Sequence, residues 1–120
     1  MVLRDLNGKI VADKLLEVFP GCVDKADNDN VWVHPENLVK IGEFLKSENG
    51  FTMDYLNAIT AVDFIDHFDV IYQLTSTVTQ NRIAIRTSLI GREHLELDSV
   101  MGLWKGANLQ EREIWDLMGI

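Results

Sequence analysis

Near the end of the chain, Glu111, Arg112, Glu113 and Asp116 stand close in sequence to Trp104, Leu109 and Trp115. Charges at that spacing share a helix surface. Arg112 and Asp116 have the i, i+4 separation of an ion pair, worth about 0.3–0.5 kcal/mol when exposed. Glu111 and Glu113 suit the positive end of a helix, and Trp and Arg are favoured at interface hot spots. The segment therefore reads either as a capped, solvent-facing helix or as a docking surface. In the second reading Trp104, Asn108, Leu109, Glu111, Arg112, Glu113, Trp115, Asp116 and Gly119 meet a partner protein. Composition does not choose between the two.

A second group, Asp63, Asp66, His67 and Asp69, combines the oxygens that hard cations take with an imidazole that carboxylates could tune as a base. Its spacing matches no metal loop, and Asp63-Phe-Ile-Asp-His67 reads as a solvated turn between strands. His34 and His94 lack a Cys or His at ligand spacing. Neither a Gly-rich phosphate loop nor a Gly-x-Ser-x-Gly elbow occurs. Cys22 is the single cysteine, too few for an internal disulfide or for an iron–sulfur cluster with about four ligands. The expectation is a chain without catalytic, cofactor-binding or metal-binding residues of its own, from a reducing compartment.

The elements that must position these groups follow from periodicity. Ile10, Val11, Leu15 and Val18 have helical spacing, and Pro20-Gly21 stops that helix. The polar run Asp24–Asn30 is a turn separating a strand around Cys22-Val23 from Val31-Trp-Val33, a hairpin. His34-Pro35-Glu36 opens a second helix with buried stripe Leu38, Ile41, Phe44 and Leu45, ending at Asn49-Gly50. Tyr55–Phe64 reads as a strand. Phe68, Val70, Tyr72 and Leu74, then Ile83, Ile85, Thr87 and Leu89, alternate with polar residues as two antiparallel neighbours. Asp98-Ser99 caps a short helix through Trp104, Lys105–Ala107 breaks it, and Asn108 with Glu111 forms a capping box for the last one. The fold class is α+β: two N-terminal helices on a mainly antiparallel sheet, with short C-terminal helices.

At 120 residues, with 47% hydrophobic side chains, residues 1–120 form a single domain able to bury a core. A net charge of −8 excludes nucleic acid as a partner and disfavours direct contact with an anionic membrane. No apolar run reaches the roughly 20 residues of a membrane span, and the N-terminus lacks the form of a signal peptide. Membrane association is expected only through a complex.

Two segments carry a family resemblance. Met53-Asp-Tyr-Leu-Asn-Ala-Ile-Thr-Ala-Val-Asp-Phe64, with Phe68-Asp-Val-Ile-Tyr-Gln-Leu-Thr-Ser76, is similar to the D-x-L-x-x-[IL]-T-A-[VI]-D block and F-E-V-[VI]-Y-x-L strand of the 30-kDa (C-type) subunit of respiratory NADH:quinone oxidoreductase, complex I. The terminal segment resembles that family's A-N-W-x-E-R-E-x-[YW]-D-[LM]-F-G-I signature at Ala107, Asn108, Glu111, Arg112, Glu113, Trp115, Asp116, Leu117, Gly119 and Ile120. Leu109 replaces the family's tryptophan and Met118 its phenylalanine. Family members continue past Gly-Ile with F-x-G-H-P-x-L-x-R, so the chain is expected to be either shortened or a member without that tail.

The resemblance implies a non-catalytic peripheral-arm subunit of a proton-translocating enzyme, on the cytoplasmic face of the membrane. It implies docking on the quinone-site large (D-type) subunit and on cluster-bearing neighbours. NADH, FMN, iron–sulfur clusters and quinone would belong to partner subunits. Glu111, Arg112, Glu113 and Asp116 would hold segments in register rather than move electrons or protons. Alternatives are the equivalent subunit of a membrane-bound energy-converting hydrogenase or other donor-variant complex, and a free-standing α+β binding module. Deprived of its partner, such a domain is expected to cover apolar surface as a homodimer.

Overall fold

In the computed structural model, residues 4–48, 50–90, 100, 102–104, 107 and 110–113 are described. Chain order is β1 (Arg4–Asp5), α1 (Gly8–Val18), β2 (Val23–Ala26), β3 (Asn30–Val33), α2 (Leu38–Ser47), β4 (Tyr55–Asp63), β5 (His67–Thr75) and β6 (Asn81–Ile90). The six strands of the described residues form one sheet in the order β2-β3-β6-β5-β4, with β1 also beside β6. This is the expected α+β class.

Two of the hairpins, β2–β3 and β5–β6, follow from local sequence. Asp27 Oδ1 accepts from the backbone N–H of Asp29 (2.8 Å) and of Asn30 (2.7 Å), closing the β2–β3 turn. That self-bonding shortens the predicted Asp24–Asn30 turn: Asp24–Ala26 extends β2 and Asn30 begins β3. Across the β5–β6 pair, Val70 faces Thr87, Tyr72 faces Ile85 and Leu74 faces Ile83, so their alternating apolar residues share one face. The β3–β6 and β1–β6 pairs are parallel. β1 is too short to have a period, and sequence reading passed over it.

The helices cover the apolar face. Asn7 caps α1 by accepting from Lys9 N–H at 2.9 Å, and Val11 and Leu15 point inward. The second helix departs slightly from expectation. Pro35–Asn37 forms a single 3₁₀ turn, and α2 proper begins at Leu38. Its stripe is Leu38, Ile41, Gly42 and Leu45; Phe44 is only half-buried, edge-on to Phe19 and Phe51. Leu15, Ile41 and Leu45 are fully buried, each contributing about 1.5–3 kcal/mol of hydrophobic stabilisation. Among the described residues no helix covers the opposite face of the sheet.

Candidate docking surface

The C-terminal segment is fastened to the core through Trp104 and Glu111, two of the docking candidates, and through Lys46 and Gln110. Trp104 lies across Gly42 of α2, and its indole N–H donates to the Met53 carbonyl at 3.0 Å. Lys46 Nζ reaches the Leu103 carbonyl from the end of α2. Residue 107 and residues 110–113 are helical. The buried Glu111 carboxylate accepts from Val100 N–H at 2.7 Å, tying this helix to the turn before it. Gln110 Oε1 accepts from Ile59 N–H at 2.8 Å, so its side chain occupies a hydrogen-bonding position on the outer edge of β4.

Trp104 and Glu111 therefore bond within the chain, whereas Arg112 and Glu113 face solvent. Those two are the docking candidates that the described structure leaves outward. Asn108, Leu109, Trp115, Asp116 and Gly119 lie outside the described residues, as does the predicted Arg112–Asp116 pair. Ala107 is already helical, one residue before the expected cap. Behind the segment, Tyr72 is fully buried. Burial, with the nearby Glu111 carboxylate, pushes its hydroxyl well above the ordinary phenol range.

The face of the sheet away from the helices holds a polar cluster around Asp69, just beyond the solvated turn expected at residues 63–67. Asp69 is only 3% exposed. It pairs with Arg86 Nη2 at 2.9 Å and accepts from Trp32 Nε1 at 3.2 Å and from Ser88 Oγ. Burial alone would raise its pKa. The donors Ser88 and Trp32, with the charges of Arg86 and His67, outweigh it and hold the carboxyl below its ordinary value. The Trp32 ring also lies 4.8 Å from Lys25 Nζ and 5.0 Å from Arg86 Cζ. The signal was in the register: on paired strands, Asp69, Arg86 and Ser88 share the face away from the core.

Asp63 and Asp66 do lie in the turn. His67 bridges outward and inward, with Nδ1 2.7 Å from Asp66 and Nε2 3.4 Å from Asp69. Among the described residues no three His, Cys, Asp or Glu side chains converge on a point fit for a metal ion. His34 precedes the 3₁₀ turn, His94 lies outside the described residues, and Cys22 is buried with its thiol pushed up by desolvation.

The family described as respiratory-chain NADH dehydrogenase, 30 Kd subunit, matches residues 31–120. The C-type NADH-quinone oxidoreductase subunit of Roseiflexus sp. is 29% identical over 96% of this chain and 70% of its own. Its C-type counterpart in Ruegeria sp. is 34% identical over 98% of this chain and 59% of its own. A C/D-type subunit from Bacteroides fragilis is 42% identical over 65% of this chain but 17% of its own. This chain thus spans widely different shares of its relatives. Among solved structures, a chain of an archaeal respiratory membrane complex, the membrane-bound sulfane sulfur reductase, has the same fold. Its TM-score is 0.76 at 18% identity, covering 93% of this chain and 68% of that one.

Proposed function

Because this chain belongs to the respiratory-chain NADH dehydrogenase 30-kDa subunit family, we propose that it is a non-catalytic docking subunit of the peripheral arm of a proton-translocating NADH:quinone oxidoreductase. It seats on the quinone-site large subunit and keeps neighbouring cluster-bearing subunits in register while electrons pass from NADH to quinone. FMN, the iron–sulfur clusters and the quinone site belong to those partners. The carrying observation is the division of labour in the C-terminal helix. Glu111 fastens it inward through Val100 N–H, which turns Arg112 and Glu113 outward as a charged docking pair.

Among the described residues no helix is long and apolar enough to cross a membrane. In this proposal the complex supplies the attachment, on the cytoplasmic face. A second reading keeps the fold and changes the redox partners of the complex; the respiratory complex that shares the fold is named a sulfane sulfur reductase.

Tagging this chain in its source organism tests the proposal. The expected result is recovery of a quinone-site large subunit with NADH:quinone activity, while the isolated chain shows neither NADH oxidation nor flavin or cluster absorption. Arg112→Glu with Glu113→Lys should reduce recovery of the complex at least tenfold. Unchanged recovery would remove the docking role from this pair, and a complex lacking NADH activity would favour the second reading.

A further inference from the structure

The tip of the β4–β5 hairpin is built against the usual economy of turns. Phe64 N–H donates to the His67 carbonyl at 2.9 Å, and the Phe64 carbonyl accepts from Asp66 N–H at 2.9 Å. That second bond spans two residues and encloses Ile65, whose φ is +76°. An i→i+2 turn with positive φ is the rare and strained form of γ-turn. A β-branched residue there is a backbone outlier, where glycine would sit without strain. The Asp63 carboxylate steadies the turn by accepting from Ile65 N–H at 2.8 Å. Yet the Ile65 side chain gains little burial from this conformation, being 83% exposed. Phe64 beside it is 44% exposed and stacks on the His67 ring at 4.9 Å, which fixes its direction. Folding alone favours neither isoleucine nor its exposure at this position.

We propose that Phe64-Ile65 is a second docking element, a projecting apolar knob that enters an apolar socket rimmed by lysine or arginine on another protein subunit of the same assembly. This rests on the assembly role argued above. The rim follows from charge: Asp63 and Asp66 flank the knob, and the Asp66 side chain is 83% exposed. The same carboxylates disfavour insertion into an anionic lipid surface. A second copy of this chain, with net charge −8, is poorly suited to provide the basic rim. Preorganisation by the stacked Phe64 and the bonded turn reduces the ordering cost of docking.

The test uses the full chain expressed in its source organism and the assembled complex recovered from membranes. A photoreactive residue at position 65 should crosslink to another subunit, at an apolar site beside Lys or Arg; one at the exposed Glu17 should not reach that site. Ile65→Gly removes the knob and the backbone strain together, so this variant should melt no lower than the wild type yet be recovered in the complex at one-tenth or less. Ile65→Leu, which keeps the apolar bulk, should retain most of the recovery. Wild-type recovery of Ile65→Gly, a lower melting temperature for it, or crosslinks only to lipid or to a second copy would overturn the knob and leave the assembly role standing. Absence of the wild-type chain from any such complex would overturn both.

Discussion

Asp69 shows how one side chain can hold in order the face of a sheet that the described helices leave free. It draws Trp32 from β3 and both Arg86 and Ser88 from β6 onto one carboxylate of β5. Replacing it by asparagine keeps the shape and strands the Arg86 charge, for a loss of about 3 kcal/mol in urea unfolding. Because its folded pKa is depressed, the carboxylate contributes stability above its unfolded pKa of about 3.9, and that contribution is lost as pH falls through the lower folded value. Asp69→Asn should therefore flatten the acid limb of the stability curve below about pH 4. Alternation alone marked Asp69 as solvent-facing. A single-strand pattern records which face a residue takes, but it carries no information about side chains reaching over from the strands alongside.

At the scale of elements, two contacts decide how the C-terminal segment sits. A Cβ on Gly42 would stand 2.6 Å from Leu103 Cδ1 and 3.3 Å from the Trp104 ring. Gly42→Ala should cost about 1–3 kcal/mol and shift the Trp104 fluorescence, since overpacking displaces the segment rather than the helix. Gln110 closes part of the β4 edge, and Gln110→Ala should lose about 1 kcal/mol. It should also show stronger concentration-dependent association in analytical ultracentrifugation, because an uncovered edge N–H invites another strand. Helices and hairpins were legible because their signals are local: period, cap, turn. The inward roles of Trp104 and Glu111 were not, since their partners Met53 and Val100 are joined only by the folded chain. Tryptophan beside charges looks alike on an interface and on a core margin.

For the molecule as a whole, the docking proposal separates stability from assembly. Arg112→Glu with Glu113→Lys alters exposed groups, and its unfolding free energy should stay within about 0.5 kcal/mol of the parent while recovery of the complex falls. The family was legible because its residues recur at fixed spacing, while the parallel β3–β6 contact joins segments whose order in the chain gives no hint of adjacency. That contact has a further consequence. β6, the last strand among the described residues, lies between β3 and β5 and also receives β1. Until residues 81–90 arrive, the β2–β3 and β4–β5 hairpins share no strand pairing. As the nascent polypeptide leaves the ribosome, the two hairpins emerge without the strand that pairs them, their apolar faces waiting for it. Joining the two hairpins is thereby deferred until that strand has been made. A stall within that interval would release a chain that chaperones must shield, not a partly working subunit.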